Sequence, residues 1–276
     1  MTGGVDVARL PPGEGVPFDD RGLAYGDGLF ETVLVRDGEP RLWAEHLARL
    51  ARGAEILGIP MPDRATLDAL PARAGKGFSV LKLMLTRGSG GRGYLAPAEP
   101  EPRLRWQAVP FAPLEARWRD GVRVRHCRLR LGIQPALAGL KHLNRLENVL
   151  ARAEWSDPEI AEGLLADAEG RLVEATCMNL FWWQDGDWYT PRLDRCGVAG
   201  TLRASLLDDG VIRKADTSPE ALATAEAVCL ANSVQGLWPV TRLDDADGRR
   251  LARWDIGDRH RALRAEAHAR LGYPHD

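Results

Sequence analysis

Of the 37 basic residues in this chain only four are lysines, at positions 76, 82, 141 and 214. Each lysine therefore departs from a strong habit of using arginine. Lys141 sits in Ala138-Gly-Leu-Lys-His-Leu-Asn-Arg-Leu-Glu147, flanked by Leu140 and Leu143. An amine in apolar surroundings has a lowered pKa and becomes a nucleophile or a base; on a wet surface it is only a charge. A second run, Val173-Glu-Ala-Thr-Cys-Met-Asn-Leu-Phe-Trp182, opens with Glu174 at the end of an expected strand. Glu174 is either a strand-edge solvent residue or a carboxylate held beside a cationic ring nitrogen. A third, Gly197-Val-Ala-Gly-Thr-Leu-Arg203, is a glycine-rich turn opening a helix. Backbone N–H groups at such a start can hold a phosphate, and an ordinary helix cap looks the same.

Other candidates lack the context their chemistry needs. Gly88-Ser-Gly-Gly-Arg-Gly93 matches GxGxxG after an expected strand. A dinucleotide site also needs a helix directly after the glycines, and Pro97, Pro100 and Pro102 will not carry one. This segment reads instead as a substrate loop, with Arg92 its one cation. The six histidines form no HExxH or HxH pattern, so no metal site is expected. Cys127, Cys177, Cys196 and Cys229 contain no CxxC pair, which excludes a thiolate zinc site and a disulfide-dense scaffold and suits a reducing cytoplasm. A net charge of −2 gives no footprint for nucleic acid or an acidic membrane. Residues 1–15 hold no apolar leader segment, and no stretch nears the roughly 20 apolar residues of a membrane span.

The elements that must position these residues follow from periodicity and breakers. In the first part, strands are expected at 29–36, near 41–42, at 79–86 and at 104–109, with Asp37-Gly38 as a hairpin turn. Trp43, Leu47, Leu50, Ala54 and Leu57 recur at helical spacing, so 43–58 is an amphipathic helix that Gly58 and Pro60 stop. Phe30 and Thr32, two apart on the first strand, share one face. Pro110-Phe-Ala-Pro113 reads as a connector, giving a smaller domain at 1–112 and a larger one at 113–276 that carries Lys141. In the second part, strands are expected at 122–129, 163–167, 171–174, 180–184, 188–190 and 228–231. Helices are expected at 144–155, 202–207 and 259–271. Asn144 and Glu147 form the N-x-x-E pattern of a capping box, and Leu146, Val149, Leu150 and Ala153 supply an apolar face to the first of these helices. Strands and helices come in runs, without regular βαβ alternation, so the fold class is α+β in two lobes.

Taken together, the ordered motifs resemble the fold-type IV pyridoxal-phosphate enzymes. The pattern is Lys141, then Glu174-x-x-x-x-Asn179-Leu-Phe181, then Thr190-Pro191 and Gly197-x-x-Gly200-x-x-Arg203. Asp20-Arg-Gly-Leu-Ala-Tyr-Gly-Asp-Gly-Leu-Phe-Glu-Thr32 and Glu45-His-Leu-Ala-Arg-Leu50 resemble that family's opening, and the likeness runs over roughly residues 16 to 240. Within the family, three stretches are most similar to aminodeoxychorismate lyases: the run around Lys141, Thr86–Tyr94, and Arg192-Leu-Asp-Arg-Cys-Gly-Val-Ala-Gly200. D-amino-acid aminotransferases usually carry Arg-x-His where this chain has Arg92-Gly-Tyr94. Branched-chain enzymes place a hydroxyl one residue later than Thr201.

The resemblance implies a two-domain, D-amino-acid-aminotransferase-like fold, pyridoxal 5'-phosphate as cofactor, and a carbon–oxygen lyase. That lyase converts 4-amino-4-deoxychorismate to 4-aminobenzoate and pyruvate in folate biosynthesis; the alternative is a D-amino-acid or branched-chain aminotransferase. It assigns Lys141 to covalent attachment and proton transfer, and Glu174 to the pyridinium nitrogen. Phosphate binding falls to Arg49, the backbone of Thr201 and Leu202, and the turn Asn232-Ser233. Phe30, Thr32 and Arg92 face the substrate. Related enzymes are homodimers. The nine tryptophans, more than a small core easily hides, point the same way, to an isologous pair.

Overall fold

The computed structural model describes residues 15–274; apart from Gly15, the stretch 1–15 read for a leader lies outside the described residues. The chain divides into two compact units. The first is Met1–Ala112 with Leu140–Asn144, and the second is Pro113–Gly139 with Arg145–Asp276. The division after Ala112 falls inside the Pro110–Pro113 run. The Lys141 loop goes with the first unit rather than the larger second one because it pairs with that unit's first strand, as described below.

In the first unit, helix α1 (Arg21–Tyr25) precedes strand β1 (Gly28–Arg36), and a tight turn leads to β2 (Glu39–Pro40). Asp37 and Gly38 both have positive φ, 52° and 83°, the backbone of a hairpin whose twist matches its strands. The second strand lies two residues earlier than expected. Arg41 already donates back to the Leu34 carbonyl, and Leu42 takes φ 52°, so the chain leaves the ladder there to enter helix α2 (Trp43–Leu57). A short helix α3 (Arg64–Asp68), β3 (Phe78–Thr86) and β4 (Arg103–Pro110) complete an antiparallel sheet of order β2-β1-β3-β4. Leu29, Val33 and Val35 of β1 pack against Leu47, Leu50 and Ala54 of α2. Burying such a face is the main drive for the unit. Residues 88–102 form no helix, as the prolines require.

The second unit is built on a nine-stranded mixed sheet of order β10-β9-β8-β11-β12-β5-β6-β7, with β13 on β12. After α4 (Glu115–Arg119), the strands are β5 (Val122–Leu131), β6 (Ile160–Asp167), β7 (Leu172–Ala175), β8 (Asn179–Gln184) and β9 (Asp187–Pro191). They continue as β10 (Arg213–Ala215), β11 (Ala227–Asn232), β12 (Gly236–Asp244) and β13 (Arg250–Arg253). Helix α5 (Leu146–Arg152) lies between β5 and β6; α6 (Thr201–Asp208), α7 (Pro219–Leu222) and α8 (Asp258–Leu271) follow later.

Helix α5 differs from its expectation at both ends. It starts at Leu146, and the capping box does not form. Asn144 gives its amide to the Gly26 carbonyl, 3.1 Å, and Glu147 accepts the Gly132 N–H, 2.8 Å. Its apolar face is not covered by its own unit: Leu146, Val149 and Leu150 are 74%, 60% and 59% exposed. None of the nine tryptophans is exposed. The tryptophans therefore pack within the chain, and the large apolar side chains left exposed include Phe18, Tyr94 and Leu95 besides those of α5.

Candidate functional site

In the first unit, Lys141 is fixed by backbone pairing to β1. The Phe30 N–H donates to the Lys141 carbonyl at 2.9 Å, and the Leu143 N–H donates to the Gly28 carbonyl at 3.0 Å. His142 bridges Leu29. This brings the Lys141 Nζ 4.3 Å from the centre of the Phe30 ring. Leu140 beside it is fully buried. Phe30, which the sequence reading set beside the substrate ring, thus stands next to the Lys141 amine. Thr32 pairs with Lys82 across the ladder, and the Lys82 Nζ lies 5.8 Å from the same ring. Two of the chain's four lysines therefore flank Phe30.

Arg49 projects from α2. Its Nε and Nη2 donate to the two oxygens of Glu31, at 2.8 and 2.5 Å. His46, one turn earlier on α2, places Nδ1 2.6 Å from the same carboxylate. Burial pushes the Glu31 carboxyl up, but the charges and hydrogen bonds of Arg49 and His46 outweigh it and hold the group at about 2. Burial in turn pushes His46 below its ordinary value, against the pull of Glu31.

The loop carrying Arg92 is held from beneath by Arg21. The Arg21 guanidinium donates to the carbonyls of Gly93 and Leu95 at 3.0 and 3.3 Å, of Tyr94 at 3.1 Å and of Gly90 at 3.4 Å. Arg92 itself is exposed.

In the second unit, Glu174 on β7 is buried, and its Oε2 accepts the Val198 N–H at 2.9 Å. Val198 belongs to the glycine turn before α6. That turn is clamped by Gly139, whose N–H donates to the Gly197 carbonyl and whose own carbonyl accepts from Ala199. Asn179 Nδ2 donates to the Val198 carbonyl at 3.0 Å. Gly197 has φ 83°, and a Cβ there would meet Val173 Cγ1 at 2.5 Å; one on Gly200 would meet Asn179 Oδ1 at 2.0 Å. Only glycine brings this backbone so close to its neighbours. Gly200 caps α6 without a side chain, and Thr201 and Leu202 stand at its first two helical positions. The Leu202 side chain is core, so only its backbone can serve a ligand.

Arg203 is buried, with Nε on Thr190 Oγ1 at 3.0 Å and Nη2 on the Pro191 carbonyl at 2.7 Å. Burial pushes it down to about 10, against the attraction of Glu174. Thr190-Pro191 and Arg203, separate motifs in the sequence, thus meet in one contact. Asn232 spends its amide on its own turn: Oδ1 accepts from Val234 and Gln235, and Nδ2 donates to the Cys177 carbonyl at 3.1 Å. It shapes the Ser233 turn and ties it to the loop after Glu174.

Sequence reasoning singled out neither Glu31, His46 and Arg21 nor the roles of Asn179 and Arg203. The available signal for Glu31 is a charge at an inward position of a strand whose neighbours on that face, Leu29 and Val33, are apolar.

The residue types of each unit suit pyridoxal phosphate. In the first, an amine beside an aromatic face fits the aldehyde and an arginine fits the phosphate; in the second, a buried carboxylate fits the ring nitrogen and a glycine turn opening a helix fits the phosphate.

Comparison with known proteins agrees with this chemistry. The family model described as amino-transferase class IV matches residues 28–243. An aminodeoxychorismate lyase of Vibrio harveyi is 36% identical over 242 residues, 85% of this chain and 89% of that protein. A bifunctional aminodeoxychorismate lyase / D-amino acid transaminase of Mycobacterium tuberculosis is 28% identical, covering 87% of this chain and 89% of that protein. The crystal structure of 4-amino-4-deoxychorismate lyase from Pseudomonas aeruginosa superposes with a TM-score of 0.85 at 48% identity, over 95% of this chain and 97% of that one. A family match over most of the chain, on a fold shared with its members, has one meaning: the chain belongs to the amino-transferase class IV family.

Proposed function

We infer that this chain is an aminodeoxychorismate lyase, releasing 4-aminobenzoate and pyruvate from 4-amino-4-deoxychorismate for folate synthesis. The observation that carries the choice of lyase is the 48% identity to a lyase over nearly the full length of both chains.

Pyridoxal phosphate, when bound, supplies an electron sink that acidifies the carbon bearing the substrate amine. Lys141 would hold it through Nζ; once the substrate amine has taken that place, the released Lys141 amine would remove the proton from that carbon. The Phe30 ring beside Nζ gives that amine a stacking surface on one side. Glu174 holds the ring nitrogen protonated, its own position fixed by the Val198 N–H. Arg49, the backbone N–H groups of Thr201 and Leu202, and the Ser233 hydroxyl, set by Asn232, hold the phosphate. Arg92 takes a substrate carboxylate while Phe30 and Thr32 line the substrate ring. With the proton gone, the neighbouring enolpyruvyl ether leaves as pyruvate and the ring becomes aromatic, which drives the step.

The enzyme works as a homodimer, supported by the exposed Leu146, Val149 and Leu150 face of α5. No described helix is long and apolar enough to cross a membrane, and none of the four cysteines is in a disulfide; the proposed compartment is the cytoplasm. The test is incubation with chorismate, glutamine and the upstream synthase, read as 4-aminobenzoate. Glutamate formed from D-alanine and 2-oxoglutarate, with no 4-aminobenzoate, would establish the aminotransferase instead.

A further inference from the structure

A carboxylate buried to 1% exposure on an otherwise apolar strand face is costly unless something requires it. Glu31 stands in line with Leu29, Val33 and Val35 on the face of β1 that packs under α2. A leucine there would extend the core on either side of it. Ion pairs buried in this way are weak stabilisers compared with apolar side chains of the same size. What the pair does supply is geometry. Glu31 engages Arg49 edge to edge, Oε1 with Nε and Oε2 with Nη2. Two parallel bonds fix the plane of a guanidinium, not only its distance. Its third nitrogen, Nη1, lies in the same plane, so the same pairing sets its direction. His46 braces the carboxylate from the other side: Nδ1 is 2.6 Å from Oε2, and the ring is completely buried. Both His46 and Arg49 come from α2, three residues apart and so on one face of it.

We propose that Glu31 and His46 are positioning residues which preset the Arg49 guanidinium for an anionic phosphate ester. The inference rests on the reading of Arg49 as a phosphate ligand and goes beyond it. Neither Glu31 nor His46 touches the ligand. They remove the freedom of an arginine side chain before the ligand arrives, so that less rotamer entropy is lost on binding.

The charge balance fits this role. Glu31 and Arg49 together are neutral, and Lys141 is the cation that His46 senses nearby. An arginine left alone would bind phosphate more strongly by charge and less selectively by direction. The Glu31 pairing exchanges some attraction for orientation, as in other sites where planar recognition of an oxyanion is required.

The experiment compares two ligands on the full-length apo chain. Pyridoxal phosphate and pyridoxal share the aldehyde and ring and differ only in the phosphate. Dissociation constants for both are measured by absorbance or by tryptophan quenching in wild type, Glu31→Gln, His46→Gln, Arg49→Ala, Arg49→Lys and the double variant Glu31→Gln/Arg49→Lys. Glu31→Gln is expected to weaken pyridoxal phosphate about tenfold and pyridoxal less than about twofold, the loss of one charge-assisted bond's positioning. His46→Gln is expected to shift the same ratio about threefold in the same direction. In the double variant Glu31→Gln adds nothing to Arg49→Lys, because a lysine has no plane to fix.

A Glu31→Gln variant that weakens both ligands equally, or neither, overturns the inference. Should that variant not fold, His46→Gln decides by the same ratio, with thermal melts showing that its fold is intact. Arg49→Ala separates the two layers of the argument. If it leaves the ratio of the two ligands unchanged, the phosphate reading of Arg49 fails. If it lowers the ratio while Glu31→Gln and His46→Gln do not, only the positioning role fails.

Discussion

Replacing Arg21 by glutamine should open the loop that carries Arg92 while leaving the body of the enzyme folded. One buried guanidinium meets four loop carbonyls, those of Gly90, Gly93, Tyr94 and Leu95, and its Nε donates to Asp27 at 2.9 Å. Residues 88–95 contain no helix and only isolated bridges, Arg92 with Leu95 and Ser89 with Asp20, so their order comes from such contacts. The other ties include the Arg21 backbone N–H on the Gly88 carbonyl, 2.9 Å, Ser89 on Asp19, 2.8 Å, and the Tyr25–Tyr94 ring pair, 5.4 Å between centroids. A hydrogen bond from a charged donor contributes about 1.5–3 kcal/mol net. The four carbonyls share one cation and two of the contacts are long, so their joint loss is worth about 2 kcal/mol, not four times that. This corresponds to roughly a 30-fold larger open population. Asp27 does not lose its partner entirely, because Arg87 holds it through Nε and Nη2 at 2.7 and 3.0 Å.

Trypsin reads the opening directly. Arg92 is exposed but sits in a pinned loop, and at low protease the cleavage rate follows the open population. The expected result is cleavage after Arg92 about 30-fold faster than in wild type, with other sites protected and the melting temperature lowered by only a few degrees. Arg21→Lys should recover part of the protection, since an ammonium cannot span carbonyls on two sides. A cleavage rate at Arg92 within about twofold of wild type would show that the loop is ordered by something else.

Lys141→Ala should abolish turnover. Lys82 lies beside the same Phe30 ring, so a borohydride-trapped adduct on Lys82 is tolerable but one with full turnover is not; peptide mapping decides. Glu174→Gln should bind cofactor and turn over about 10²–10³-fold more slowly. Near-wild-type rates would deny the carboxylate its place at the ring nitrogen. His126, with a buried unpartnered Nε2, is pushed down to about 4 by burial and then by Arg130. The unfolded chain therefore takes the extra proton. Stability is full above pH 6.5 and lost as pH falls toward 4, by about 2 kcal/mol between pH 7 and 5, and urea midpoints of His126→Gln should lose that share of the pH slope. Leu150→Glu should give a monomer in sedimentation at micromolar concentration, and an unchanged dimer would place the interface elsewhere.

Much of the fold was legible because it is local. The hairpin at Asp37-Gly38 needs only two residues willing to take positive φ, and the β1 and β3 strands announce themselves by apolar runs between breakers. The lysine, glutamate and glycine-turn runs were legible for a similar reason, since each is a short stretch with its own backbone requirement. The start of α5 was not. Asn144 followed by Glu147 is a sound capping box, but Asn144 finds the Gly26 carbonyl, more than a hundred residues away in sequence, and Glu147 finds Gly132. A local rule cannot see a competing partner that only the fold delivers.

The same limit explains what was missed at the site. Alternation along β1 shows that Phe30 and Thr32 share a face, and by the same arithmetic that Glu31 lies opposite, among leucine and valine. It cannot show that the helix arriving 15 residues later brings a histidine and an arginine to that carboxylate. Periodicity assigns faces and leaves pairings open. Charged residues suffer most from this, because a buried charge is defined by its partner more than by its own surroundings. Arg49 and Arg21 make the point from opposite sides. The motif around Glu45–Leu50 marks Arg49 as a ligand for an anion, yet two of its three nitrogens belong to Glu31. Nothing in the short run Asp20-Arg21-Gly22 marks Arg21 for chemistry, yet it holds four carbonyls of the loop that carries Arg92. A reading confined to motifs finds the groups that touch the ligand, while those that aim them emerge only when the strands and helices are brought together.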